Sequence, residues 1–424
     1  MKKLLLIVCV GLFAYKGFAQ TDAEATNPQL KKANEEKAKQ LKGEAQKNVL
    51  AGFSDVKILP TTGIKNQGMT GTCWCFSTTS LVESQCLKNN LGDFDLSEMY
   101  AVRNTYIEKA KNYILRQGHA QFSEGGLGHD LINAIEKYGA MPENVYSGIL
   151  ITAENMPSKL GRAAVAANDS FKATQNIQHN HVKLISFLKK YVDSIVKATP
   201  VSENWLAGFE SILNKELGTP PSKFMYNGKE YTPKAFASDV LKFNANDYIY
   251  LTSFTHHPYY QSFVIEVPDN FSNGSYYNLP LNEMLDITKD VLIKGYSVLW
   301  DADVSNEGFM QKNGIAVNLH NADTKNAKKV SIVNGSVEGK WNAAERQKLF
   351  ENLTTQDDHL MHIVGMGKNK DGKLFFNVKN SWGDVGPSNG FINVSEAYFA
   401  MNTITIIVPK VAFTKEMLKK YKMN

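Results

Sequence analysis

Between residues 74 and 90, apolar or small side chains occupy nearly every face of a helical projection: Trp74, Phe76, Leu81, Val82 and Leu87, separated mainly by Ser, Thr and Cys. A helix apolar on most sides belongs at the centre of a fold rather than on its surface. Residues 95–118 and 128–138 carry further helical patterning, the second closed by Gly139. Residues 150–245 hold three helical stretches (ENMPSKLGRAAVAAN, HVKLISFLKKYVDSIVKA and NWLAGFESILNKEL), interrupted by Pro200, Pro220 and Pro221. From about 246 the pattern changes to short β-branched and aromatic runs, at 248–252, 262–267, 296–300, 359–366, 375–380 and 390–394. Helices first and strands later predict an α+β fold.

Residues 1–19 depart from both patterns. Lys2 and Lys3 open the chain, an apolar run follows from Leu4 to Tyr15, and Gly17 and Ala19 precede Gln20. This is the order of a secretory signal peptide. The run is about a dozen residues, short of the roughly 18–20 that a spanning helix needs. The expectation is an exported protein, periplasmic or secreted, with no membrane attachment once the leader is removed. Residues 20–52, rich in Lys, Glu, Ala and Gln, read as a charged, solvated lead; a removable pro-segment is a second reading of the same stretch.

The apolar content of 43% and charged content of 21% permit a sizeable core. The formal charge of +5 shrinks when the leader takes away Lys2, Lys3 and Lys16 and no acid. The remaining charges are scattered, so nucleic acid is not expected as a partner. Past the leader the cysteines are Cys73, Cys75 and Cys86. On one helix Cys75 and Cys86 stand roughly 16 Å apart along the axis, well beyond the about 7 Å that a disulfide spans.

Chemistry concentrates where the chain enters the central helix, at Asn66-Gln67-Gly68-Met69-Thr70-Gly71-Thr72-Cys73-Trp74-Cys75-Phe76-Ser77. Unpaired N–H groups and the macrodipole at a helix start favour a thiolate at Cys73. Gln67 can turn an amide N–H toward an oxygen that becomes negative when that thiolate attacks a carbonyl. A thiol nucleophile also needs a base and a group to orient it. His359, in Asp358-His359-Leu360-Met361-His362, and Asn380, in Asn380-Ser381-Trp382-Gly383, supply them. His362 sits three residues after His359 on a predicted strand and reads as core. His256-His257 lacks an acidic neighbour in sequence and reads as a loop pair. No metal or cofactor is expected.

These segments, in this order, resemble those of the papain-like (C1) cysteine peptidases, and most of all the bleomycin hydrolase / aminopeptidase C branch. His359 follows Cys73 at far more than the about 130–150 residues of a minimal member, and that branch carries a long helical insertion between the two. Other branch-like stretches are Leu96-Ser97-Glu98-Met99-Tyr100, Gly125-Gly126 with Glu136-Lys137-Tyr138-Gly139, and the run 298–304. The likeness covers about residues 53–410 and is weakest between about 150 and 245.

The resemblance implies an α+β, papain-like two-lobed fold: a helical lobe plus a β-barrel-like lobe, with a large helical insertion. Residues 53–149 would form the helical lobe, 150–245 the insertion, 246–410 the β-rich lobe and 411–424 a tail. It implies catalysis by Cys73, His359 and Asn380, an oxyanion hole of Gln67 and the Cys73 N–H, a Trp382 that covers the Asn–His bond and borders the substrate, and substrate pairing at Gly125 and Gly126. Peptides are the implied substrates, and a hexamer the implied assembly. Aminopeptidase, endopeptidase and Cys-His acyltransferase activities all use these groups; a catalytically silent peptide-binding relative is the non-enzyme alternative. In the branch, the C-terminal residues lie in the cleft and the terminal carboxylate meets the substrate's α-amine. This chain ends in a basic, helix-like stretch, Phe413 to Asn424, which is nevertheless the expected restriction of the cleft.

Overall fold

The structure, a computed structural model, describes residues 53–150, 179–198 and 200–423. The expected signal peptide, the charged lead, the first helical stretch of the insertion and Asn424 lie outside the described residues. Strand β1 (Ser54–Ile58) precedes helix α1 (Cys73–Lys88), in which Trp74, Cys75 and Leu81 have no exposed surface. The all-round apolar pattern therefore marks a buried central helix. Helix α2 (Glu98–Leu115) starts where the Ser97 hydroxyl accepts from the Tyr100 N–H. Helix α3 (Gly128–Tyr138) stops at Gly139, with φ 85°. A Cβ there would lie 2.2 Å from the Pro233 backbone, so only glycine fits.

Helices α4 (Val182–Lys197) and α5 (Trp205–Leu217), followed by the hairpin β2 (Phe224–Tyr226) and β3 (Lys229–Tyr231), are the described part of the insertion. Leu184, Leu188, Phe209, Leu213 and Phe236 join the apolar cluster of α1–α3. The insertion thus thickens the helical layer instead of standing apart from it.

The remaining strands are β4 (Tyr248–Thr252), β5 (Ser262–Val264), β6 (Ser275–Asn278), β7 (Val298–Ala302), β8 (Phe309–Met310), β9 (Ile315–Ala316), β10 (His359–Lys368), β11 (Leu374–Lys379), β12 (Phe391–Ser395) and β13 (Thr403–Pro409). They pair in the order β5-β6-β4-β13-β7-β10-β11-β12-β9-β8, with β1 also on β10. Alternation along the strands divides the core. Leu299, Leu360 and Ile407 face the helical cluster. Val298, Trp300, Met361, Ile363, Ile406 and Val408 face the opposite way, onto α6 (Leu281–Ile293) and α8 (Glu396–Asn402). Trp300 stacks on Phe399 there, with ring centroids 5.6 Å apart.

Two expectations change. The barrel-like lobe is an open mixed sheet among the described residues. Its path ends at β5 and β8, strands of three and two residues that offer too little ladder to pair with each other. The tail does not enter the cleft over its described length. After a short helix α7 (Ala343–Glu351) and α8, the chain ends in α9 (Lys415–Lys420). Ala412, Phe413, Met417 and Tyr421 pack in the α6 cluster. The Tyr277 hydroxyl donates to the Tyr421 and Lys422 carbonyls at 3.0 and 2.8 Å, and the Lys294 ammonium donates to the Ala412 carbonyl at 2.8 Å. No described helix is long and apolar enough to cross a membrane.

Candidate active site

Cys73 is the first residue of α1. The loop before it is held from several sides. Gly68 turns at φ 67°, and its N–H donates to the Asn66 side chain at 2.9 Å. The Met69 N–H donates to the His179 carbonyl at 2.7 Å, so the insertion clamps the loop. The Gly71 N–H donates to the Glu124 carboxylate, and the Trp74 indole N–H donates to the Glu124 carbonyl at 3.0 Å. This last contact fastens the Gly125-Gly126 segment to the first turn of α1.

His359 is the first residue of β10, opposite Ala302 of β7. The Leu360 backbone N–H faces the Cys73 sulfur, which brings the start of this strand to the thiol. His359 Nε2 lies 2.7 Å from Asn380 Oδ1. The orientation of that amide is fixed twice over: Asn380 Nδ2 donates to Gln311 Oε1 at 3.1 Å, and the Ser381 N–H donates to Asn380 Oδ1 at 2.7 Å. An oxygen therefore faces the imidazole, so Nε2 carries the hydrogen and Nδ1 is free to accept a proton. The Trp382 ring lies over His359 at a centroid distance of 4.6 Å.

Gln67 is buried. Its Oε1 accepts from the Ser381 hydroxyl at 2.7 Å, and its Nε2 donates one hydrogen to the Thr70 carbonyl at 2.7 Å. The second amide hydrogen stays available, since an NH₂ group has two. The α1 start and the asparagine motif thus hold each other through Gln67 and Ser381.

The electrostatics oppose the expected thiolate. Burial pushes Cys73 up to about 12, the carboxyls of Asp357 and Asp301 push the same way, and the Leu360 and Trp74 N–H groups oppose the shift. Burial pushes His359 down to about 4, with Asn380 opposing. Each group by itself is held neutral. A thiolate–imidazolium pair has to form as a pair, each charge stabilising the other.

Beside Cys73 is a cavity of about 500 Å³, walled by Gly71, Gly125, Gly126, Ile185 and Leu360 and by the carboxyl residues Glu124, Asp269, Asp357 and Asp358. Gly126 has no space for a side chain without displacing Trp74, 3.1 Å from its would-be Cβ. The Gly125 carbonyl is taken by the Lys109 ammonium, which also donates to the Ser123 carbonyl at 3.0 Å. Asp358 is exposed and accepts from the Val304 N–H at 3.3 Å. His362 turns onto Ser80 of α1 at 2.9 Å, fully buried, as a core residue. All three described cysteines are free thiols.

Gln311 and Asp269 carried no sequence signal, because their partners lie far away along the chain. Ser381 lay inside a recognised motif, but its bond to Gln67 appears only in three dimensions. The structure also supplies the acidic partner that His256-His257 lacked: Glu266, with His256 Nε2 at 3.2 Å and His257 Nε2 at 2.6 Å. Gln347 decides what this trio can hold. Its Oε1 accepts from the Thr255 N–H at 2.6 Å, so its Nε2 donates to His256 Nδ1 at 2.9 Å. His256 therefore presents an N–H, not a lone pair, to Glu266, and cannot ligate a metal as seated.

The sequence model of the Peptidase C1-like family matches residues 15–424. Aminopeptidase C of Streptococcus thermophilus is 24% identical over 400 residues, covering 85% of this chain and 83% of that protein. Bleomycin hydrolase of Gallus gallus is 22% identical over 405 residues, covering 84% and 82%. The crystal structure of PepW from Lactobacillus rhamnosis HN001 superposes with a TM-score of 0.59 at 21% identity, covering 95% of this chain and 96% of that one. A family match over nearly the whole length, on a fold that bonds His359 to Asn380 and brings the start of that histidine's strand to the Cys73 sulfur, places this chain in the Peptidase C1-like family, as a cysteine-type peptidase.

Proposed function

We propose that the protein is an exported aminopeptidase of bleomycin hydrolase type, acting through an acyl-enzyme on Cys73. The observation that carries the reading is the His359–Asn380 bond, with the asparagine oxygen fixed toward the ring and the Cys73 sulfur at the neighbouring Leu360 N–H. His359 Nδ1 takes the thiol proton as Sγ attacks the scissile carbonyl carbon. The oxyanion meets the Gln67 side-chain N–H and the Cys73 backbone N–H, where preorganised donors lower the barrier. The imidazolium protonates the leaving amine, which departs. Water, deprotonated by the same ring, then releases the acyl group and restores the thiol.

The names of the relatives support aminopeptidase action. The described tail lies away from the cavity, which leaves endopeptidase action as a second reading. Mass spectrometry of matched peptides with free and acetylated N-termini tests both. Cleavage from free N-termini, lost in Cys73→Ala, supports the first reading; internal cuts in acetylated peptides support the second. Absence of any cleavage, together with failure of iodoacetamide to alkylate Cys73, refutes hydrolysis through this thiol. Added amines that trap the acyl-enzyme more readily than water would identify an acyltransferase. Export is supported by residues 1–19 and is tested by N-terminal sequencing, which should begin at Gln20. The oligomer implied by the family likeness is tested by sedimentation of the mature chain.

A further inference from the structure

We infer that Asp269 and Asp357, backed by Asp301, form an ammonium-binding subsite at the end of the cleft beside Cys73, and that it takes the free α-amine of the peptide. The inference rests on the proposed reading of this cavity as the substrate cleft.

Asp269 comes from the loop between β5 and β6, far in sequence from either catalytic motif. Its carboxylate lies directly over Gly125: a Cβ added there would be 1.8 Å from Asp269 Oδ2. Gln121 Nε2 at 2.6 Å and the Ser123 hydroxyl at 3.2 Å both donate to Oδ1. Oδ2 is left facing the glycine segment, without a donor among the described residues. A main chain laid along Gly125 and Gly126 would meet this oxygen at backbone level, where an N-terminus ends rather than where a side chain tips into a pocket.

The loop is built to hold Asp269 there. The Asn270 side-chain amide donates to the Ile265 and Gly274 carbonyls, each at 2.9 Å. The Ser272 hydroxyl donates to Asp130 at 2.7 Å. Gly274 packs so closely that a Cβ would lie 2.3 Å from the His129 ring.

A second observation points to a missing positive charge. Asp301 is 1% exposed. It lies on β7 with the parity of Leu299, which faces the helical cluster that holds Cys73. Its Oδ2 accepts from the Thr405 hydroxyl at 3.1 Å, and its Oδ1 is buried with no donor but the Asp357 carboxyl. Asp357 Oδ2 is buried in turn, with the Asp301 carboxyl as its neighbour. The two carboxyls lie against each other, and Asp357 opens onto the cavity. Two carboxyls in contact share one proton, which leaves the pair a single negative charge. The neighbouring Lys109 directs its ammonium to the Ser123 and Gly125 carbonyls, and among the described residues no lysine or arginine lines the cavity. A primary ammonium brings three donors and one positive charge, which suits this set of acceptors.

The test is equilibrium binding to Cys73→Ala, followed by fluorescence anisotropy. The probes are C-terminally labelled tetra-alanine with a free N-terminus, its Nα-acetyl form, and an Nα-acetyl form carrying one lysine. The free amine should bind about 10- to 100-fold more tightly than the acetyl form, the scale of a shielded charge-assisted contact. Asp269→Asn in the same background should remove most of that preference and Asp357→Asn part of it, with both variants still unfolding cooperatively well above the assay temperature. Recovery of affinity by the lysine peptide would assign the same subsite to a side-chain ammonium. Equal binding of free and acetylated peptides, or a preference that survives both Asn variants, overturns the inference. Since Cys73→Ala does not turn over, the outcome is separate from whether the wild-type protein hydrolyses anything.

Discussion

Asn380 can orient His359 only while its own amide is prevented from flipping, and the side chain opposite its nitrogen is Gln311. Gln311→Ala should therefore lower kcat about tenfold or more while KM changes little, since ring orientation matters to proton transfer more than to binding; steady-state kinetics checks it. Gln67→Ala should cost roughly 10²–10³ in kcat, the scale of one lost oxyanion donor. Asp357 acts on the nucleophile instead. Burial and then the charge of Asp269 push it up to about 7, and its negative form raises Cys73. Asp357→Asn should speed alkylation of Cys73 by iodoacetamide several-fold, with the gain growing above about pH 7, where the wild-type carboxyl is charged. An unchanged rate would show that this carboxyl does not reach the thiol. Cys73, His359 and Asn380 stand out as candidates in the sequence because each sits in a short motif. Gln311 was not, since a glutamine becomes a support only when a strand register places it opposite the right amide.

At the scale of elements, pattern alone located α1, α3 and the two described insertion helices within a few residues, because burial on one or all sides leaves a periodic trace. It also placed the end of α3 at Gly139, where conformation and space both demand glycine. Gly139→Ala should cost more than about 1 kcal/mol, from the positive φ and the contact with the Pro233 backbone; urea unfolding measures it. What pattern could not supply was partnership. The sequence suggested that the tail bars the cleft, yet the apolar residues of α9 and its flanks, Phe413, Met417 and Tyr421, are what hold it against α6. The element that does reach over Gly125 is a polar loop without periodicity.

For the whole molecule, acidity and stability are linked through buried groups of two kinds. Burial pushes His179 and His359 down to about 4 and His181 to about 3, and lowers His362 as well. For these the unfolded chain binds more protons, so stability falls as pH drops below about 6.5. Burial raises Glu98 and Asp357 to about 7 and Glu143 to about 9. Their contribution is complete below the ordinary carboxyl range and is lost as pH rises through those values. The two sets oppose each other between about pH 4 and 6.5; above that range the carboxyls prevail, with Lys109, lowered by burial, working the other way at the alkaline end. The thermal midpoint should decline between pH 6.5 and 8, and Asp357→Asn should remove part of the decline. A midpoint rising over that interval would contradict the assignment. The α+β order was readable from where helical patterns give way to strand patterns. The open sheet was not, because closure depends on which distant strands pair.

The place of β13 in that sheet has a consequence for how the chain comes to be folded. This strand, residues 403–409, lies between β4 and β7 near the middle of the ladder order, yet it follows every other described strand along the chain. Until it pairs, β4 and β7 have no common neighbour and the two halves of the sheet remain unjoined. Contacts across such long sequence separations form slowly. A chain in which this strand has not yet paired therefore keeps its sheet in two separate parts, however complete the helical layer is.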